Sequence, residues 1–495
     1  MKLNPALNTD FYKTGHIKMY PEGTQQVYSN MTPRSDRHFT DDPDFDHKIV
    51  NFGLQGVLQW MYIDIWNKHF FDQPRDRVIK EFKEEMDTAL GPGVVDVEPM
   101  ASLHELGYLP IRIKALPEGE RVPVRVPLFT ITNTHPDFYW VTNYLESDLS
   151  ANFWKSVTNA TRAFTFRQLL EDFAEETGTP RGFVNWQAHD FSYRGLSTTY
   201  DSILSGAAHL TSFMGTDTIP AIKYLRDYYG ATGLVGGSVP ATEHSVMCMG
   251  GEDDEIKTFE RLMKLYPNGI LSVVSDTWDL WAVVTQFLPR LKDQIMERNG
   301  KLVIRPDSGD PVKIICGDPA ARRELPAHKG LIELLWDEFG GSSDVLTRYR
   351  TLDSHIGSIY GDSINYKRAK DILSGLANKG FSSGNVVFGV GSYTYQMVTR
   401  DTLGTAFKAT YGVVNGESRV LFKAPKTDDG IKNSARGLLR VDKVNGEYVL
   451  RELCTPEEEA GGELQVVFED SKMIRMQTLD DIQTRLHGCT LASLL

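Results

Sequence analysis

Between residues 183 and 396 the chain repeats one pattern: a short apolar segment runs into a polar cluster containing glycine, and a helix-like stretch follows. The instances are FVNWQAHDFSYRG, TSFMGTDT, GLVGGSVPATEHS, GILSVVSDTWD, KLVIRPDSGD, HIGSIYGDS and NVVFGVGSYTYQ. Short buried strands that alternate with helices are the signature of parallel α/β architecture. Seven of them favour a closed barrel over an open doubly wound sheet. Every instance ends in site-like residues, whereas an open sheet places its ligand at one strand-order switch. In a barrel the loops after the C-terminal strand ends surround a single ligand site. The expected fold is therefore α/β, an irregular TIM-like barrel spanning 151–399.

Outside this core the pattern changes. TYGVVNGESRVLFKAP and LLRVDKVNGEYVLREL each place Asn-Gly between β-prone runs, a strong hairpin signal. The first 150 residues mix a helical stretch, RDRVIKEFKEEMDTAL, with strand-like ones, LPIRIKALPEG and VPVRVPLFTIT. Because a hairpin pair is marginal alone, 400–495 is expected to pack on 1–150 as a discontinuous mixed α+β domain. Two domains also suit 495 residues, since single cores stop growing at roughly 250–300.

The formal net charge of −13 argues against nucleic-acid binding, which needs Lys and Arg to neutralise phosphates. Small anionic ligands remain open to locally gathered basic residues. Cys248, Cys316, Cys454 and Cys489 form no CxxC pair and have no histidines at zinc-finger spacing, so no disulfide framework or structural zinc is indicated. The N-terminus lacks a signal-peptide core, and no run approaches the ~18 apolar residues of a membrane span. A cytoplasmic location without membrane contact is the expectation.

Hydrolase motifs are missing: ATEHSVM holds Glu243-His244 but no HExxH, and GGSVPA is not a nucleophile elbow. FGVGSYTYQ has Gly389 and Gly391 without the third glycine of a dinucleotide fingerprint, yet such a turn can cradle a phosphate with backbone N–H groups. Arg194, Arg305 and Arg400 each lie near a carboxylate or a strand end. Any one alone reads as a surface ion pair, but three around a barrel mouth would make a phosphate site. In IRPDSGDP, Arg305 can fork onto phosphate or ribose oxygens. Asp307 can accept from ribose hydroxyls or order a magnesium ion, so the pair suits a phosphorylated sugar. The bland reading is a pair that only fixes its own loop.

Taken in order, TDFYKTGHIKMYP, HDFSYRG, GTDT, SVPATEHS, SVVSD, IRPDSGDP, YGD and VTRDTLG resemble the nicotinamide phosphoribosyltransferase family, most closely its bacterial and phage branch. The resemblance runs from Asp10 to beyond Lys423. It implies a type II phosphoribosyltransferase fold working as a homodimer with shared active sites. The implied reaction joins nicotinamide to phosphoribosyl pyrophosphate, giving nicotinamide mononucleotide and pyrophosphate in NAD salvage. Magnesium is the implied cofactor, and ATP an optional co-substrate.

Matched motif by motif, Phe191 would stack on the nicotinamide ring, with Tyr12 of a second subunit on its other face. Asp217 would accept from the carboxamide and, ionised, repel the carboxylate of nicotinate. Ser272 would approach the amide, and Asp276 follows at the same strand end. Arg194, Arg305 and Arg400 would grip phosphates, Asp307 the ribose diol, and Gly361 and Asp362 the ribose side. Gly391 and Ser392 would face the 5′-phosphate. The animal enzymes carry a more glycine-rich loop where this chain reads GVGSY, a departure that bears on the donor's 5′ substituent. His244 would take a phosphoryl group from ATP, with Glu243 as a neighbour that orients its ring. The metal ligands are not specified by the resemblance.

The rival readings are nicotinate phosphoribosylation, transfer to nicotinamide from ADP-ribose pyrophosphate, and a non-catalytic nucleotide-binding protein. A barrel glycosidase pairing Asp276 with Asp307 is disfavoured, since neighbouring arginines would depress the pKa that a general acid needs raised.

Overall fold

The computed structural model describes residues 4–40, 42–43, 45–423 and 434–494. Six of the seven repeated segments form the strands of one parallel sheet. In spatial order these are Gly215–Thr216, Ala188–Asp190, Val386–Val390, Ile356–Ile364, Leu302–Arg305 and Leu271–Val274. Apolar side chains such as Leu302, Ile304, Val273, Phe388 and Val390 are buried in one core, as continuous apolar strands require.

The remaining segment, GLVGGSVPATEHS, closes the ring without forming a regular strand. Pro240 has no N–H, so no ladder can continue through it. Single bridges join Gly237 to Gly215 on one sheet edge and Ala241 to Ser272 on the other. The Thr216 N–H donates to Gly237 O at 3.0 Å and the Ser272 N–H to Pro240 O at 2.9 Å. Thr242 adds a clasp: its N–H donates to Ser272 O at 3.0 Å, and its hydroxyl accepts from the Val274 N–H at 2.9 Å.

A second, seven-stranded antiparallel sheet has its centre in strands Thr405–Val414, Thr24–Pro33, Phe129–Asn133 and Ile111–Ala115. Both Asn-Gly pairs turn hairpins, with Asn415, Gly416, Asn445 and Gly446 all at positive φ, the type I′ arrangement. Ala424 and Pro425, the last residues of one quoted hairpin stretch, lie outside the described residues. The helical stretch RDRVIKEFKEEMDTAL is the helix Arg75–Leu90.

The two layers share the 32-residue helix Glu146–Thr177, about 48 Å long. Leu149, Phe153 and Val157 on its first half pack in the core of the antiparallel sheet, whereas Phe166, Leu169 and Leu170 pack in the barrel core. The expected boundary at 150/151 falls inside this continuous helix. Arg167, almost fully buried, is held by Glu171 at 3.0 Å, Asn185 Oδ1 at 2.9 Å and Ser212 O at 2.7 Å.

The closing clasp has a measurable energy. Thr242→Val keeps the shape but strands the buried Val274 N–H, which should cost about 1–3 kcal/mol. A lowered midpoint in urea unfolding is the expected result.

Candidate active site

Three of the predicted residues, Phe191, Asp217 and Ser272, line a cavity of about 180 Å³ inside the barrel, together with His189 and Ser238. Phe191 follows the strand Ala188–Asp190, its N–H donating to Val390 O at 2.8 Å. Its ring needs two glycines beneath it. A Cβ on Gly389 would lie 2.3 Å from Phe191 Cδ2, and one on Gly361 would lie 3.1 Å from Cε2 and 3.0 Å from Asp307 Oδ1. Gly389 therefore makes room for the aromatic ring.

Asp217 lines the same cavity. Its Oδ1 accepts from the Ser238 hydroxyl at 2.5 Å and contacts His189 Nε2 at 3.0 Å. Burial pushes the Asp217 carboxyl up, but the hydrogen bond and charge of His189, the Ser238 hydroxyl and the Arg305 charge outweigh it. The carboxyl is held below its ordinary value, so it is ionised at neutral pH.

Arg305 and Asp307 form the charged side of the mouth. The guanidinium lies 5.1 Å from the Phe191 ring centroid, a cation–π contact. Nη2 is 3.2 Å from Asp307 Oδ2, and Nη1 donates to Thr242 O at 3.4 Å. Asp276 accepts from the Asp307 N–H at 2.8 Å and the Ser308 hydroxyl at 2.5 Å, both on Oδ2. Three buried polar atoms here have no protein partner: Ser272 Oγ, Asp276 Oδ1 and Arg305 Nε.

The other predicted residues do not line this cavity. Asp362 is exposed at the irregular end of Ile356–Ile364, where Ser363 has φ 49° and donates to it at 2.9 Å. Gly391 caps the short helix Ser392–Tyr395, and Ser392 packs against Gly195 in the turn that exposes Arg194. His244 is exposed, with Thr277 Oγ1 at 3.3 Å from Nδ1. Glu243 does not orient that ring: its carboxylate accepts from the Ser245 hydroxyl, and the neighbour of His244 is Thr277. Tyr12 is not brought into the cavity. It is 61% exposed on the N-terminal helix Phe11–Thr14, anchored by Lys13 to Glu146 at 2.7 Å.

Arg400 belongs to a different group of cations. Burial lowers the pKa of Lys408, and repulsion from Arg34, Arg400 and Lys423 lowers it further against the opposing pull of Glu146. Arg34 and Lys408 also line a cavity of about 250 Å³ with Arg125 and Glu452. The sequence motifs singled out neither this cluster beyond Arg400 nor His189 and Ser238. His189 had a usable signal, since it lies two residues before Phe191 on one strand edge and shares its face.

Comparison with known proteins assigns the class. Residues 186–472 match the nicotinate phosphoribosyltransferase (NAPRTase) family, and residues 4–92 the nicotinamide phosphoribosyltransferase N-terminal domain. The fold is that of the type II phosphoribosyltransferases. It resembles the crystal structures of nicotinate-nucleotide pyrophosphorylase from Pyrococcus furiosus and of human nicotinic acid phosphoribosyltransferase. The TM-scores are 0.58 and 0.51 at 14% and 13% identity, over 98% of this chain and 95% and 94% of theirs.

The chain is 53% identical to a nicotinamide phosphoribosyltransferase of Acinetobacter baylyi, over 98% of this chain and 97% of that one. It is 34% identical to one of Mycoplasma pneumoniae, over 86% and 93% respectively. The chain belongs to the nicotinamide phosphoribosyltransferase family.

Two tests follow from this geometry. Gly389→Ala drives a methyl into the Phe191 ring, overpacking that costs about 1–3 kcal/mol. Calorimetry should show nicotinamide binding weakened by roughly tenfold or more. Glu255, a buried carboxyl within reach of the Asp276 charge, has its pKa raised from 4.5 to about 7 by burial and then by Asp279, Glu252 and Asp276. The folded state therefore holds a proton that the unfolded chain releases, and stability falls as pH rises from about 4.5 through 7. Glu255→Gln should flatten the decline in Tm between pH 5 and 8.

Proposed function

We propose that the chain transfers the phosphoribosyl group of phosphoribosyl pyrophosphate to nicotinamide, giving nicotinamide mononucleotide and pyrophosphate. The observation that carries this reading is the pairing of the Phe191 ring with an ionised Asp217 in one cavity, beside the Arg305–Asp307 pair. A flat pyridine stacks on the phenylalanine. Its carboxamide N–H donates to the free side of Asp217, whose Oδ1 already holds Ser238 and His189. A carboxylate in place of the amide would meet Asp217 charge to charge, so nicotinate is disfavoured.

The pyridine nitrogen uses its lone pair to form the C–N bond at the anomeric carbon. The C–O electron pair departs with pyrophosphate, so no proton transfer and no protein nucleophile are needed. A transition state resembling an oxocarbenium ion forms between base and leaving group. Catalysis comes from holding the ring at the anomeric carbon and from guanidinium groups that take up charge on the leaving group.

Magnesium belongs to this reading. Asp276 Oδ1, buried and unpartnered, and the Asp307 carboxylate are hard oxygen donors. No group of three His, Cys, Asp or Glu among the described residues is arranged to hold a metal ion. Magnesium typically uses one or two carboxylates, waters and substrate phosphates, which suits this donor set. Bound there, it would neutralise charge on the pyrophosphate.

The same reading gives ATP and a second subunit their places. With His244 Nδ1 beside Thr277, Nε2 is left to accept the γ-phosphoryl group of ATP as ADP departs. Exposed Phe11, Tyr12 and Met19 suit a homodimer interface that carries Tyr12 to the other subunit's base. The Lys408 cluster suits phosphate groups. All four cysteines are free thiols, in keeping with a reducing cytoplasm. No helix among the described residues is long and apolar enough to cross a membrane.

Mass spectrometry of products tests the reading, with magnesium and phosphoribosyl pyrophosphate, offering nicotinamide or nicotinate, with and without ATP. Mononucleotide should form from nicotinamide; its absence would overturn the assignment. Asp217→Asn loses a charged hydrogen bond of about 1.5–3 kcal/mol. Its kcat/KM for nicotinamide should fall roughly 10- to 100-fold, and the preference over nicotinate should narrow.

A further inference from the structure

Asp190 touches none of the cavity, yet it lies between the two groups that read the base. It is fully buried at the end of the strand Ala188–Asp190. Its Oδ1 accepts from the Ser192 N–H at 2.9 Å and the Ser192 hydroxyl at 2.6 Å. Its Oδ2 accepts from the Thr218 hydroxyl at 2.6 Å and the Thr216 hydroxyl at 3.2 Å. The Asp190 backbone O accepts from the Asp217 N–H at 3.0 Å.

Each carboxylate oxygen thus holds a different turn. Oδ1 fixes the turn that carries Phe191 and leads to Arg194. Oδ2 fixes the turn that carries Asp217. Four donors on one buried carboxylate offset its desolvation, and they leave neither turn free to move against the other. Thr216 also accepts from the Thr218 N–H at 3.0 Å, so its hydroxyl is committed in both directions.

We propose that Asp190 is a positioning residue that sets base specificity: it fixes the spacing between Phe191 and Asp217, so that a ring stacked on the first presents its carboxamide to the second. The inference rests on the assignment of nicotinamide as the base. A purely structural role would lower stability and affect both substrates alike, because every loop of the mouth sits on the same barrel. A positioning role moves one substrate and spares the other.

The experiment compares Thr218→Val, Thr218→Ser and Asp190→Asn with the wild type. Thr218→Val removes one arm of the clamp while leaving the carboxylate and the site residues untouched. Its KM for nicotinamide should rise about tenfold, the loss expected for one hydrogen bond to a charged group, with KM for phosphoribosyl pyrophosphate within about twofold. The preference for nicotinamide over nicotinate should narrow. Thr218→Ser, which keeps the hydroxyl, should restore both. Asp190→Asn puts an NH₂ where two hydroxyls donate and should shift the same quantities further.

Equal changes in both KM values, an unchanged KM for nicotinamide, or failure of Thr218→Ser to restore it would overturn the proposal. If Thr218→Val does not fold, Ser192→Ala supplies the comparison through the other carboxylate oxygen, removing only the hydroxyl that donates to Oδ1 at 2.6 Å. Wild-type product formation reports on the assigned reaction, so its failure is distinguishable from failure of the clamp. Calorimetric nicotinamide binding by the same variants then decides the clamp alone.

Discussion

A parallel ring must find partners for the backbone groups on both of its sheet edges, and this chain meets that demand with six irregular residues. The edges are Gly215–Thr216 and Leu271–Val274, and residues 237–242 bridge them through a few N–H and C=O groups rather than a ladder. Unpaired buried amides cost too much for the gap to stay open. Closing it fixes more than the barrel. The same six residues set Ser238 against Asp217 and put Thr242 O under Arg305, and the chain then leaves the rim through Glu243 and His244. A backbone requirement therefore decides where three parts of the site lie.

The charge distribution at the mouth follows from which groups the protein leaves incompletely paired. Asp217 and Arg305 each spend some of their hydrogen-bonding capacity on protein partners that orient them, and Arg305 keeps Nε uncommitted. Groups held in this way need little reorganisation when a charged ligand arrives, which is where electrostatic catalysis gains its effect. The aromatic wall is fixed by space instead. Gly361 and Gly389 are glycine because Phe191 occupies the volume of a side chain at both positions.

Much of this was legible in the chain, and for identifiable reasons. Buried strands need continuous apolar runs and hairpins need Asn-Gly, so the barrel segments and both I′ turns could be read locally. The closing segment could not be read as irregular from its apolar residues, although Pro240 was the cue that no ladder runs through it. The helix Glu146–Thr177 gives no clear stripe, because its two halves bury different faces in different cores. Among the site residues, Asp217 and Arg305 stand in motifs, whereas Ser238 meets Asp217 only through closure of the ring. The neighbour of His244 came from Thr277, 33 residues away, rather than from the adjacent Glu243. Consecutive residues at a helix start point in different directions, so adjacency in sequence was the weaker guide.

The cations around Lys408 are gathered at a cost in stability. Burial presses its ammonium toward the neutral form, and Arg34, Arg400 and Lys423 press the same way against the opposing pull of Glu146. Such a group weakens the folded state, and a chain of net charge −13 had acidic residues enough to disperse it. Stability alone therefore does not account for the arrangement. An anion among these cations would reverse the sign of the interaction, turning mutual repulsion into binding energy. Asp217 and the Lys408 cluster thus differ: hydrogen-bond partners and opposite charge favour the ionised form of the first, whereas burial and like charges disfavour that of the second.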